Sequence, residues 1–145
     1  MPETTESIVK EIHIDATPET LFGFFTEAEK LTRWFCSEAT TDPRPGGINH
    51  QTHPGENGPY FLRGEFVEVE PPTRVTFTFD FLDQNGEHEP DPGLVEVVLT
   101  PASGGTDLRL THSGIFTGNQ RAEDSGGWDF HLANLAKLDF GEAPR

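Results

Sequence analysis

Cysteine is nearly absent: Cys36 stands alone among 145 residues. That excludes an internal disulfide framework and fits a reducing compartment. Lysine is almost as scarce, with only Lys10, Lys30 and Lys137, scattered in a chain of formal net charge -15. Phosphate backbones and anionic lipids require clustered cations, so nucleic-acid binding is not expected. No apolar run approaches the length of a membrane span, and residues 1–10 lack the apolar stretch of a secretory signal. These absences together predict a soluble, cytoplasmic protein with no membrane insertion.

The length predicts one domain over residues 1–145, large enough to bury a core without disulfide or metal staples. The acidic surplus around Asp83, Glu87, Glu89, Asp91 and Glu96 reads as a solvated loop and surface rather than a site for cationic ligands. No linker, internal repeat or low-complexity segment argues for a second unit.

Aromatic residues are well represented, and the richest stretch is Val75-Thr76-Phe77-Thr78-Phe79-Asp80-Phe81. Its period of two describes a strand with one wet face and one aromatic face. Three phenylalanines in register either pave a solid core or wall a pocket for an apolar ligand.

The flanking punctuation places the other elements. Ile8, Ile12 and Ile14 mark a first strand over residues 8–14. Thr17-Pro18-Glu19 then opens a short helix carrying Leu21, Phe22 and Phe25. A capping box at Thr26-Glu27-Ala28-Glu29 starts a second short helix bearing Leu31, Trp34 and Phe35. Alternation and turn residues predict strands over 37–41, 47–52, 60–69, 74–81, 94–100 and 107–113, forming an antiparallel meander. The clearest turns are Pro71-Pro72, Asn85-Gly86 and Gly104-Gly105. Val95, Val97 and Leu99 share one sheet face with Leu108, Leu110 and His112.

After Gly118 the period lengthens, and Trp128, His131, Leu132, Leu135 and Leu138 fall on one stripe of a long C-terminal helix. The Gly126-Gly127 pair costs about 1 kcal/mol per residue in a helix interior, which suits a helix start or a close backbone approach. The fold class is therefore α+β, with the long helix covering the apolar sheet face.

Candidate chemistry is sparse. His112 and His131 both lie on apolar stripes and could serve as acid, base or ligand donor, although a hydrogen-bonded core histidine is the commoner outcome. Ser113 points to the opposite strand face from His112, so no hydrolase triad is supported. His50, His53 and Glu56 have the atoms of a metal site, but their Gly- and Pro-rich segment lacks rigid flanks, and neither metal nor cofactor is expected. Cys36 reads as a small buried hydrophobe. Arg63 and Glu65 are expected to face solvent.

A family resemblance is carried by six blocks in order. They are Ile12-x-Ile14-x-Ala16-x-Pro18-x-x-Leu21-Phe22; Leu31-x-x-Trp34-Phe35; Pro45-Gly46-Gly47; the run from Gly64-x-Phe66 through Pro71-Pro72-x-Arg74-Val75-x-Phe77-Thr78-Phe79; Thr111-His112-Ser113-Gly114; and Gly127-Trp128-x-x-x-Leu132-x-x-Leu135. In these the chain resembles the SRPBCC superfamily, with its START or birch-pollen-allergen-like helix-grip fold. Within it the chain is similar to single-domain bacterial homologues of the heat-shock-protein-90 ATPase activator, the AHSA type. Trp34-Phe35 departs mildly from the adjacent tryptophans common there, and the segment 49–58 looks longer and more polar than a simple hairpin.

The resemblance implies a curved antiparallel sheet wrapped around the C-terminal helix, and a hydrophobic cavity between them. The fold alone does not fix a function. The expected function is binding of a small hydrophobic molecule, a lipid or an aromatic polyketide-like compound. Its expected walls are Trp34, Phe35, Phe66, Phe77, Phe79, Phe81, Phe116, Trp128 and Leu135, with His112 or His131 as polar anchors. The alternatives are a cyclase- or aromatase-like enzyme using a cavity histidine, and a protein-interaction module acting on a chaperone partner.

Overall fold

The computed structural model describes residues 7–53, 59–79, 81–82, 93–114 and 120–138; for Tyr60, Phe81, Leu82 and residues 120–125 it describes the backbone alone. The elements in chain order are β1 (Ile8–Ile14), α1 (Pro18–Thr26), α2 (Ala28–Leu31), β2 (Glu38–Thr41), β3 (Ile48–His53), β4 (Tyr60–Glu70), β5 (Arg74–Phe79), β6 (Phe81–Leu82), β7 (Gly93–Ala102), β8 (Gly105–Ser113) and α3 (Gln120–Ala136). The sheet order β1-β8-β7-β5-β4-β3-β2 is antiparallel throughout, with β6 also on β4. The predicted meander is thus present. β1 closes it by pairing with the last strand, placing Ile8 opposite His112 and Ile14 opposite Thr106. This is the helix-grip fold, an α+β domain in which an open curved sheet holds a C-terminal helix.

Helix α1 begins as its sequence predicts. The Thr17 hydroxyl accepts the Thr20 amide N–H at 3.2 Å, Pro18 occupies the first turn, and Glu19 sits near the positive end of the dipole. The predicted capping box does not form. Thr26 is the last residue of α1, and its hydroxyl donates to the Phe22 carbonyl at 2.9 Å, the common back-bond of a helical threonine. Only Glu27, in extended conformation, separates the helices, and it gives α2 no side-chain cap. α2 also ends at Leu31, so Trp34 and Phe35 lie in the following turn rather than on the helix.

The aromatic strand over 74–81 is divided. β5 ends at Phe79, β6 resumes at Phe81, and both pair with β4, with a register shift between Phe66 and Glu68. Glycine enables one tight corner before β3: Gly46 has φ 82°, and its amide and the Gly47 carbonyl pair with Phe66. The Asn85-Gly86 turn lies outside the described residues, whereas the Pro71-Pro72 and Gly104-Gly105 turns form.

The core lies between the sheet and the helices. Leu21, Phe22, Phe24 and Phe25 of α1 meet the inner faces of the sheet, which carry Val95, Val97, Leu99, Leu108 and Leu110. Each fully buried side chain of this kind contributes about 1.5–3 kcal/mol by leaving water. Helix α3 seals the cup with Trp128, Leu132 and Leu135, all buried. It starts at Gln120, so Gly126 and Gly127 lie in its interior and not at its start. Nor is either packed closely, because a Cβ on either would meet nothing within 4 Å.

Candidate functional site

Helix α3 and the turn after α2 bring the predicted aromatic residues into one stacked series. Trp34 stacks on Phe35 with centroids 4.9 Å apart, and Phe35 stacks on Trp128 at 5.3 Å with planes 15° apart. Phe79 lies 5.5 Å from Trp128 and meets the His112 ring edge-on at 4.9 Å. Deeper in the sheet, Phe66 and Phe77 pair edge-to-face at 6.4 Å. Such contacts add about 0.5–1.5 kcal/mol each beyond area burial. Leu135 is fully buried in the same core. Phe79 is only partly buried, so the series reaches one accessible end. Phe81 is placed on β6 by its backbone, and Phe116 lies outside the described residues.

Two tryptophan N–H groups fix this series. The Trp34 indole donates to the Phe24 carbonyl at 2.9 Å, and the Trp128 indole donates to His112 Nδ1 at 3.1 Å. An indole can only donate, so Nδ1 of His112 carries the lone pair and the proton resides on Nε2. Burial pushes His112 down to about 4, which keeps the ring neutral and the bond intact near neutral pH. Gly93 is required beside it, because a Cβ there would stand 2.6 Å from His112 Nε2.

Phe35 is the hub. Besides its two stacked neighbours it meets His53 edge-on at 4.6 Å and His131 edge-on at 4.9 Å. His131 is half-buried; burial lowers its affinity for a proton, opposed by a hydrogen bond with the Trp34 backbone, and its Nδ1 has no partner. His53 is lowered further, to about 4, by burial and by the nearby His131.

The inner face of β3 is where sequence reasoning fell short. The strand reads Asn49-His50-Gln51-Thr52-His53, and the alternation turns Asn49, Gln51 and His53 inward. All three are buried, with Asn49 at 0% exposure. They form a ladder: Gln51 Nε2 donates to Asn49 Oδ1 at 3.0 Å, and His53 Nε2 meets Gln51 Oε1 at 2.8 Å. A strand was expected over 47–52, but with polar residues on both of its faces the sequence carried no signal of which face is buried. His50 and His53, three apart on a strand, face opposite ways and do not converge, and no cluster of three metal-ligating side chains occurs among the described residues.

The remaining candidates are inert or outward. Burial pushes the Cys36 thiol up to about 12, so it is protonated and a poor nucleophile. Arg63 and Glu65 are exposed, and with Ile48, His50, Thr78 and Leu94 they border an open groove of about 720 Å³ on the opposite face of the sheet.

A helix gripped by an antiparallel sheet, with tandem short helices after β1, is matched by comparison with known proteins. The family model for activator of Hsp90 ATPase homolog 1-like proteins matches residues 15–138. The chain belongs to this family. Among solved structures, a Rhizobium leguminosarum protein superposes with TM-score 0.81 at 20% identity, covering 93% of this chain and 94% of that one. A Mesorhizobium loti protein gives TM-score 0.74 at 25% identity over 91% and 95% of the two chains. CalU16 of Micromonospora echinospora gives 0.69 at 26% identity over 90% of this chain and 74% of its own. No curated protein matches the chain significantly. No helix among the described residues is long and apolar enough to cross a membrane.

Proposed function

We propose that this AHSA1-family domain binds a small, largely apolar molecule between α3 and the sheet. Trp34, Phe35, Phe77, Phe79, Trp128 and Leu135 form the apolar walls, and the histidines at its edge supply polarity. The supporting observation is the contrast between strands. Where β7 and β8 turn Val, Leu, Thr106 and one histidine inward, β3 turns Asn49, Gln51 and His53 inward in succession, and His53 meets the aromatic hub Phe35. A core that needed only to be filled gains nothing from desolvating three polar side chains there, since burying polar groups is at best offset by their mutual hydrogen bonds. A ligand pocket, apolar with a few convergent polar groups, is built this way.

The test uses the two tryptophans, which are the only ones in the chain and both lie in the site. Titration with Nile red should quench their fluorescence saturably, and native mass spectrometry of gently purified protein should show a bound small molecule. No saturable quenching together with no bound mass would overturn the reading. The family's description favours a second reading, a protein-interaction module acting on a heat-shock-protein-90 ATPase. A pull-down with the bacterial heat-shock-protein-90 homologue tests it, and no retention removes it.

A further inference from the structure

We infer that the β3 ladder is a recognition subsite for a neutral, oxygen-bearing head group, a carbonyl or hydroxyl on an otherwise apolar ligand, which accepts a hydrogen bond from Asn49. This rests on the ligand-binding reading above and specifies its chemistry. Asn49 is wholly buried, its Oδ1 is occupied by Gln51, and its Nδ2 has no hydrogen-bond partner. A buried amide N–H₂ left unpaired costs about 1–3 kcal/mol. With Gln51 Nε2 donating to Asn49 Oδ1, the unmet Asn49 group is the N–H₂, which can only donate and therefore calls for an acceptor on the ligand. At the other end of the ladder the unpartnered Nδ1 of His131 adds a second polar atom, with the His131 ring 6.3 Å from that of His53.

The neutrality of the head follows from what surrounds it. Among the described side chains, the inward residues of β3 and the facing part of β4 are Asn49, Gln51, His53, Leu62, Gly64 and Phe66, with Ala39 and Thr41 beside them on β2, and none is a lysine or arginine. His53 and His131 both resist protonation. A carboxylate placed there would be a buried, unpaired anion, which is far costlier than a buried ketone or hydroxyl. The subsite therefore discriminates against fatty-acid-like anions.

The experiment compares 2-acetylnaphthalene, 2-ethylnaphthalene and 2-naphthoate by tryptophan quenching at pH 7.5, in the wild-type protein and in Asn49→Leu. The ratio of ketone to hydrocarbon affinity should fall roughly tenfold in Asn49→Leu, the equivalent of one hydrogen bond. The wild-type protein should bind naphthoate more weakly than the ketone. The carbonyl stretch of bound 2-acetylnaphthalene should shift to lower frequency in wild type, a readout that stands even if the variant does not fold. An unchanged ratio, an unshifted carbonyl or tighter binding of naphthoate overturns the inference while leaving the apolar pocket in place. Failure of all three compounds to bind overturns both.

Discussion

Acidification from pH 7 to 5 should destabilise this protein, although bringing an acidic chain toward its isoelectric point ordinarily relieves charge repulsion. The formal net charge is -15 and the sequence pI is about 4.6, so repulsion falls over this range and taken alone would raise stability. His53 and His112 act in the opposite direction. Each is lowered by burial from 6.5 to about 4 in the folded state. Between those values the unfolded chain binds more protons than the folded one, so stability rises with pH and is lost as pH falls from about 6.5 toward 4. Between pH 7 and 5 the loss is about 2 kcal/mol for each histidine, and about 4 kcal/mol for the pair if they titrate independently. That is a large share of the 5–15 kcal/mol typical of a folded domain. The burial of His50 and His131 adds loss in the same direction, while exposed His13, raised by Asp107, opposes it.

Urea unfolding followed by tryptophan fluorescence at pH 7 and pH 5 measures the effect. The double variant His53→Gln, His112→Asn should retain less than half of the wild-type difference. Equal wild-type stability at the two pH values, or a double variant with the full loss, would refute the assignment of these rings as buried and neutral.

Other substitutions probe particular contacts. Gly126→Ala and Gly127→Ala should each stabilise the protein by about 1 kcal/mol, raising the thermal midpoint by roughly 2–4 °C, because both sit inside α3 with open space at Cβ; a lowered midpoint would contradict that openness. Trp128→Phe keeps the stack on Phe35 but removes the donor to His112, and should cost about 1–3 kcal/mol in urea unfolding. Gly105→Ala would drive a methyl group into the Ile14 carbonyl of β1 and should destabilise by about 1–3 kcal/mol, whereas an unchanged midpoint would mean that the β1–β8 edge yields freely. Phe66→Ala, at a side chain with 1% exposure, should cost about 3–5 kcal/mol by the same assay.

Much of the architecture was legible because its signals are local. The period-two alternation in β1, β5, β7 and β8 and the Thr17-Pro18 helix start each depend on neighbouring residues only. The capping box misled because Thr26 has two partners available, the next helix's amides or its own helix's Phe22 carbonyl, and sequence does not rank them. The glycine pair misled for a similar reason: its cost in a helix is real, but Trp128, Leu132 and Leu135 hold the helix together from outside. In the site, aromatic residues were recognisable by type. Asn49 and Gln51 were not, since polarity in a Gly- and Pro-rich stretch reads as exposure until the register of β3 against β4 turns them inward.

Helix α3 has a consequence for how the domain closes. Asp124, Ser125, Gly126 and Gly127 are four consecutive weak helix formers in its interior, and most helical stability in proteins comes from packing of an apolar face rather than from propensity. As a free peptide the segment would be mostly coil; it becomes a helix by docking. The wall that faces the sheet is thus a rider seated on Trp128, Leu132 and Leu135 rather than a strut. Its position is set by the groups it settles against, so truncating Trp128, Leu132 or Leu135 would loosen the helix itself as well as its packing.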